Sequence, residues 1–134
     1  MIVVDTNVLA YLFIAGDHTE GARAALRRDP AWAAPVLWRS ELRSVLAGYL
    51  RRGEMELRVA ADVMAEAEGI LDGREYIVDS ASVFALVAES RCSAYDCEFA
   101  ALARQLGAPL VTSDRQILAD FPEIAVSLKQ FGRA

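Results

Sequence analysis

The chain opens with MIVVDTNVLAYLF at residues 1–13, a stretch that combines a strand pattern with a helix pattern. The β-branched run at 2–4 is continuously apolar, which is typical of a parallel strand buried on both faces. Asp5 ends this run, and Thr6 and Asn7 can cap the apolar helix that follows. The Asp5 carboxylate is therefore predicted at a strand-to-helix turn, on the edge of an α/β sheet where ligands bind. An isolated acid at this position could also simply begin a turn.

A second stretch, PLVTSDRQIL at residues 109–118, has the same order of features. A buried strand ends at Thr112, and Asp114 then precedes a short apolar helix. Asp114 is thus a second acid at the carboxyl end of a strand. The alternative is that Asp114 serves only as the N-cap of this helix.

Alternating patterns along the chain predict an α/β fold. Helices are predicted at 7–15, 18–28, 37–52, 55–71, 80–91, 94–107 and 114–120. Strands are predicted at 2–5, 32–35, 76–78, 109–112 and 125–127. This alternation predicts one parallel sheet flanked by helices, within a single domain over residues 1–134.

Composition excludes several classes of protein. A hydrophobic content of 54% argues against disorder, and no apolar stretch reaches the ~20 residues that a membrane helix needs. No leader pattern is recognised, so a cytoplasmic location is expected. Cys92 and Cys97 have the wrong spacing for a C-x-x-C pair, and His18 is the only histidine. Zinc binding and histidine-based nucleophilic catalysis are therefore disfavoured.

Two further acids occupy positions that invite a functional explanation. Glu41, in LWRSELRSVLAGYL, borders the predicted buried face of its helix, where an unpaired carboxylate is costly. An arginine partner for Glu41 is one alternative. Asp96 lies in the first turn of the helix that Ser93 can cap, and the S-x-x-D spacing also fits a capping arrangement.

If the four acids converge, their mutual repulsion requires cations. Two carboxylates about 4 Å apart repel by about 4 kcal/mol at an effective dielectric constant near 20. Oxygen ligands without histidine or cysteine favour Mg²⁺ or Mn²⁺ over zinc. Such ions suit phosphodiester hydrolysis.

Charge is unevenly distributed along the chain. Residues 23–58 hold eight arginines and four acids, a balance of +4, whereas the remainder carries −9, which gives −5 overall. The basic region can meet the phosphates of a nucleic acid, and Arg39 and Arg43 are the side chains expected to steer it. The alternative is that these arginines only solvate exposed helix ends.

Four motifs together resemble the PIN-domain ribonucleases, and more narrowly the VapC toxins of bacterial and archaeal toxin–antitoxin modules. The hydrophobic-D-T-N opening, the SEL helix, the segment SAYDCEFAALA and the closing LVTSD occur in the family's order and spacing over nearly the whole chain. The resemblance implies a PIN-like three-layer sandwich whose five-stranded parallel sheet has the order 3-2-1-4-5. It also implies a Mg²⁺-dependent endoribonuclease, with Mn²⁺ as an alternative ion.

The resemblance assigns roles to individual residues. Asp5, Glu41, Asp96 and Asp114 match the four acidic positions. Asp5 and Asp96 are implied as direct metal ligands, and Glu41 and Asp114 as ligands that complete the site directly or through water. Supporting polar side chains are expected from three residues: Thr6, Asn7 and Thr112. The family further implies an RNA substrate, a cognate VapB-like antitoxin and a homodimer. Glu98, an extra acid, is left out of the predicted site because it points away from Asp96 along the helix.

Other functions fit the sequence less well. A haloacid-dehalogenase-type phosphatase would have a second Asp at the position of Asn7, and a signal-receiver domain would have a late strand-end lysine, whereas Lys129 is the only lysine. A catalytically silent PIN-fold binding module remains the alternative to the enzyme.

Overall fold

A five-stranded parallel sheet forms the centre of the protein. The structure is a computed structural model in which residues 1–133 are described. The strands are Ile2–Val4 (β1), Trp32–Pro35 (β2), Glu75–Tyr76 (β3), Leu110–Thr112 (β4) and Ala125–Ser127 (β5). Their order is β3-β2-β1-β4-β5, and each neighbouring pair is parallel. The predicted fold class and strand order are confirmed.

Helices connect the strands and cover the sheet. They are Thr6–Phe13 (α1), Thr19–Arg28 (α2), Trp38–Arg51 (α3), Leu57–Ile70 (α4), Ser80–Glu89 (α5), Ala94–Leu106 (α6), Arg115–Asp120 (α7) and Leu128–Arg133 (α8). The predicted helices match α1 to α7 within a few residues at each end. Within residues 1–133, no helix is long and apolar enough to cross a membrane.

The last helix, α8, was not predicted from the sequence. Its segment contains Gly132, which is unfavourable in a helix, and it is too short to show a clear apolar period. Leu128 and Phe131 are nevertheless buried, and the Arg28 guanidinium donates a 2.6 Å hydrogen bond to the Phe131 carbonyl. Packing against the rest of the fold therefore determines this helix, rather than local propensity.

The central strands are buried on both faces, as the sequence predicts. Residues 2–4 are at most 1% exposed, and β4 is equally enclosed. The two strands pair directly, with Val3 opposite Leu110 and Val4 opposite Val111. Because both strands run in the same direction, the residues that follow them emerge side by side at the carboxyl edge of the sheet.

The turn after β1 corrects one prediction. Asp5 occupies the N-cap position of α1, and Thr6 and Asn7 already lie within the helix, so neither of the latter caps it. The Asp5 amide donates to the Val111 carbonyl at 3.2 Å, which extends the sheet pairing to the acid itself. Asp5 is thus fixed by the strand at its backbone, and its carboxylate makes no capping hydrogen bond.

Candidate active site

The four predicted acids line one cavity at the carboxyl edge of the sheet. This acidic cavity has a volume of about 330 Å³. Its lining residues are Asp5, Thr6, Asn7, Glu41, Ser44, Val45, Asp96 and Asp114. No lysine or arginine lines it, so the carboxylates have no cationic partner among these residues. Convergence of the four acids, on which the predicted chemistry depends, is therefore observed.

Thr112 connects Asp5 and Asp114, although it does not itself line the cavity. Its hydroxyl donates to Asp5 Oδ2 at 2.8 Å and accepts from the Asp114 amide at 3.0 Å. Thr112 is fully buried as the last residue of β4. One hydroxyl on a rigid strand therefore fixes the Asp5 carboxylate and the backbone of Asp114 relative to each other.

Glu41 is held by the first helix. The Thr6 hydroxyl donates to Glu41 Oε1 at 2.7 Å, which joins α1 to the first turn of α3. An arginine partner for Glu41, the alternative weighed from the sequence, is not found in the described chain. Glu41 therefore keeps a carboxylate oxygen available to the cavity.

Arg39, which is expected to steer RNA, is held in ion pairs with two carboxylates. Its guanidinium donates two hydrogen bonds of 2.7 Å to Glu75, and it also lies 3.4 Å from Glu68. Glu75 is the first residue of the edge strand β3 and also accepts a bond from Trp38. Arg39 therefore joins α3 to the sheet edge, and its expected role in attracting phosphates stays a prediction.

Asp96 and Asp114 line the cavity and also lie at the starts of α6 and α7. The Ser93 hydroxyl caps α6 by accepting from the Asp96 amide at 3.1 Å. The Asp114 carboxylate caps α7 by accepting from the Ile117 amide at 2.9 Å. The capping interpretation is thus correct for Asp114, yet the same side chain lines the acidic cavity. Capping fixes its position and does not exclude a second role.

Burial and crowding disfavour ionisation of three of the four carboxylates, Asp5, Glu41 and Asp96. The pKa of Asp5 is raised from 3.8 to about 6, chiefly because burial removes water from the charge. The Thr112 hydrogen bond opposes this effect, and the charges of Asp96, Glu41 and Asp114 add to it. Burial is also the main cause that raises the pKa of Glu41 and of Asp96, with Asp96 acting on Glu41 and Asp114 acting on Asp96.

The donor chemistry of the cavity fits a hard divalent cation. The titratable ligands are carboxylates, the pKa values of Asp5, Glu41 and Asp96 are raised, and a cation would relieve both the burial cost and the repulsion. Across residues 1–133, however, no group of three or more His, Cys, Asp or Glu side chains is arranged closely enough to hold an ion. Direct coordination by three carboxylates would therefore require these side chains to move closer together.

Two residues near the acids, Ser44 and Glu98, are not part of the site predicted from the sequence. Ser44 lines the cavity one helical turn after Glu41, a spacing that could have indicated it. Glu98 does not line the cavity, but its pKa is raised by burial and by the charge of Glu41. Glu98 is thus electrostatically coupled to the cluster, although its spacing from Asp96 suggested separation.

The sequence is similar to a known protein family and to a named ribonuclease. A family model described as a PIN domain matches residues 2–124. Ribonuclease VapC3 of Pyrobaculum aerophilum is 27% identical over 126 residues, which cover 92% of this chain and 96% of that relative.

Solved structures share the fold. The crystal structure of PAE2754 from Pyrobaculum aerophilum has a TM-score of 0.78 at 20% identity, covering 98% of this chain and 93% of the other. FitAcB from Neisseria gonorrhoeae gives a TM-score of 0.75 at 19% identity, with 96% and 99% coverage. A toxin–antitoxin complex from Klebsiella pneumoniae gives 0.69 at 21% identity, with 96% and 98% coverage.

Proposed function

The chain belongs to the PIN domain family, and from this premise we propose that it is a metal-dependent endoribonuclease acting as the toxin of a type II, VapBC-like module. The observation that carries the proposal is the cavity lined by four carboxylates and by no lysine or arginine. The family match and the relative named as a ribonuclease support RNA as the substrate. We further propose that the enzyme acts in the cytoplasm.

The proposed ligands for Mg²⁺ are Asp5, Glu41, Asp96 and Asp114, with Mn²⁺ as an alternative ion. When bound there, such an ion would lower the pKa of an attacking water and stabilise negative charge on the phosphate oxygens. The carboxylates supply the negative charge that attracts and holds the ion.

Two threonines, Thr6 in the cavity lining and the buried Thr112, position these carboxylates. Thr112 restrains Asp5 and the Asp114 backbone through its two hydrogen bonds, and Thr6 restrains Glu41. Such contacts fix the orientation of carboxylate oxygens before substrate arrives, which is how hydrogen bonds around a metal site usually contribute. Asn7 lines the cavity on its exposed side, where its amide can contact a phosphate oxygen or a water.

Two protein partners form part of the proposal. An unrestrained ribonuclease would damage its own cell, so a cognate antitoxin is expected to cover the acidic cavity. An arginine on that antitoxin would complement the carboxylates through charge-assisted hydrogen bonds. The fold shared with a toxin–antitoxin complex supports this assignment. A homodimer is also proposed, and light scattering of the purified protein would test it.

The alternative function is a catalytically silent PIN-fold binding module. One observation favours the binding module. Within residues 1–133, no three carboxylates are close enough to one another to form a ready-made ion site. The two functions differ in one simple result, because only the enzyme cleaves RNA when Mg²⁺ is supplied.

The proposed function is tested in the cell and with purified protein. Induction without a partner should slow growth and translation, and purified protein should cleave RNA in Mg²⁺ but not in EDTA. Coexpression with the small open reading frame beside the gene should restore growth if that frame encodes the antitoxin. Normal growth on induction, together with intact RNA in Mg²⁺, would refute the toxin and the enzyme assignments.

A further inference from the structure

A second cavity with a different charge lies at the same edge of the sheet. This basic cavity has a volume of about 560 Å³ and lies between the start of α2, the start of α7 and the junction of β5 with α8. Its polar lining side chains are Asp17, His18, Ser113, Arg115, Ser127 and Lys129.

The two cations of the basic cavity are available to a ligand. Arg115 and Lys129 are exposed, and neither forms a salt bridge to another residue in the described part of the chain. Asp17 is the one carboxylate in the lining, so the cavity has an excess of positive charge. Arg115 directly follows Asp114, which places the basic cavity next to the acidic one.

A third cavity, of about 310 Å³, adjoins the other two and has three aromatic side chains in its lining, Tyr11, His18 and Tyr49. This aromatic cavity shares Asn7 and Val45 with the acidic cavity, and it shares Asp17 and His18 with the basic cavity. The three cavities therefore adjoin one another, and we refer to them together as the depression.

Aromatic rings in this depression are fixed in orientation. Tyr11 and His18 stack with ring centroids 4.6 Å apart and planes inclined by 28°. The Tyr11 hydroxyl is hydrogen-bonded to Ser113 Oγ at 2.8 Å, so the ring is tied to the end of β4. Tyr49 lines the same cavity from α3.

We propose that this depression is a binding track for single-stranded RNA. Arg115 and Lys129 hold backbone phosphates in the basic cavity, and a base stacks on the Tyr11–His18 pair in the aromatic cavity. The RNA is cut in the neighbouring acidic cavity. The proposal deepens the proposed function and rests on it. Cations that follow the backbone, combined with aromatic platforms for unpaired bases, are the usual means of binding a single strand.

The order of charges along the track has a physical rationale. The acidic cavity repels RNA unless a cation is bound, so the attraction that brings the strand in must come from elsewhere. Arg115 and Lys129 line the neighbouring basic cavity and not the acidic one, so they attract phosphates while the carboxylates stay free for the metal. The track therefore separates substrate attraction from metal binding.

The experiment measures the affinity of the full chain for a labelled single-stranded oligouridylate across a salt series, in Ca²⁺ to limit cleavage. The Arg115→Gln, Lys129→Gln double variant should bind more weakly. Its slope of log Kd against log salt should be smaller by about 1.4, because each phosphate contact on a single strand contributes about 0.7. The control is the Arg58→Gln, Arg104→Gln double variant, which removes two exposed charges that line none of the three cavities and should keep the wild-type slope.

His18→Ala tests the base subsite separately. Loss of a stacking surface should weaken binding by about 5- to 150-fold, whereas the salt slope should stay close to that of the wild type, because stacking releases no counterions. A His18→Ala protein with wild-type affinity would overturn the aromatic part of the track.

The results separate this inference from the proposed function. If the wild type neither binds nor cleaves RNA, the proposed function itself fails. If the wild type binds and cleaves RNA but the Arg115, Lys129 variant keeps both affinity and slope, only the track is overturned. The track is also overturned if the Arg115, Lys129 variant binds RNA as the wild type does but no longer binds a coexpressed antitoxin. The basic cavity would then contact a protein partner.

Discussion

Replacing Asp5 with asparagine should stabilise the metal-free protein, although Asp5 is proposed as a metal ligand. Asp5 is 9% exposed, and its pKa rises from 3.8 to about 6 in the folded protein. Each pKa unit corresponds to about 1.4 kcal/mol, so ionised Asp5 reduces the free energy of unfolding by about 3 kcal/mol at neutral pH. In Asp5→Asn this cost is absent, and the amide oxygen can still accept the Thr112 hydrogen bond.

The stability that Asp5→Asn gains over the wild type must depend on pH in a defined direction. The folded protein holds the Asp5 proton more tightly than the unfolded chain does, so the stabilising effect of that proton is complete below about pH 3.8. It is lost as the pH rises through about 6. The advantage of Asp5→Asn over the wild type should therefore be small near pH 4 and should reach about 3 kcal/mol near pH 7.

The assay is urea unfolding of both proteins in EDTA at several pH values. Asp79→Asn is the control, because hydrogen bonds from Ser82 lower the pKa of Asp79 and neutralising it should bring no gain at any pH. If Asp5→Asn is destabilised equally at low and neutral pH, the carboxylate cluster does not strain the fold and the reasoning is wrong.

Three further predictions concern Asp96, Arg39 and Thr112. Mg²⁺ should raise the Tm of the wild type, and it should raise that of Asp96→Asn less, as followed by thermal melts in EDTA and in Mg²⁺. Arg39→Gln should lower the Tm because α3 loses its ion pair with β3, whereas Arg43→Gln, which breaks no ion pair in the described chain, should leave the Tm near that of the wild type. Thr112→Val should cost about 1–3 kcal/mol in urea unfolding, because buried hydrogen-bonding groups lose their partner.

The strand-end acids could be predicted because their signal is local. A buried apolar run that stops at Asp5, and a second one that leads to Asp114, locate both residues at strand ends. Parallel strands share a carboxyl edge, so their meeting follows from the fold class. The strand order, by contrast, came from the resemblance to the PIN-domain family, since alternation of elements alone permits several orders.

Interactions between distant segments could not be predicted. Arg39 meets Glu75 across 36 residues, and no helical or strand period marks such a pair. The hydrogen bond from Thr112 to Asp5 spans 107 residues. Family resemblance placed Thr112 among the supporting residues, and its bond to Asp5 is observed, whereas its role in catalysis stays a prediction.

Some local patterns were also ambiguous. Thr6 and Asn7 have the right residue types for a cap, but strand pairing continues to Asp5 and the helix begins one residue earlier than predicted. Asp114 fits both a cap and a carboxylate cluster, and the structure shows that one side chain can satisfy both geometries.

The central claim is that the carboxylate cavity cleaves RNA with the help of a divalent ion. The most direct measurement is RNA cleavage by the wild type, Asp96→Asn and Glu98→Gln, each confirmed as folded, in Mg²⁺ and in EDTA. Glu98 is the matched control, because it is an acid on the same helix that is coupled to the cluster by charge but does not line the cavity. The account predicts cleavage by the wild type and Glu98→Gln in Mg²⁺ only, with none by Asp96→Asn. Undiminished cleavage by Asp96→Asn, or cleavage by the wild type that persists in EDTA, would contradict it.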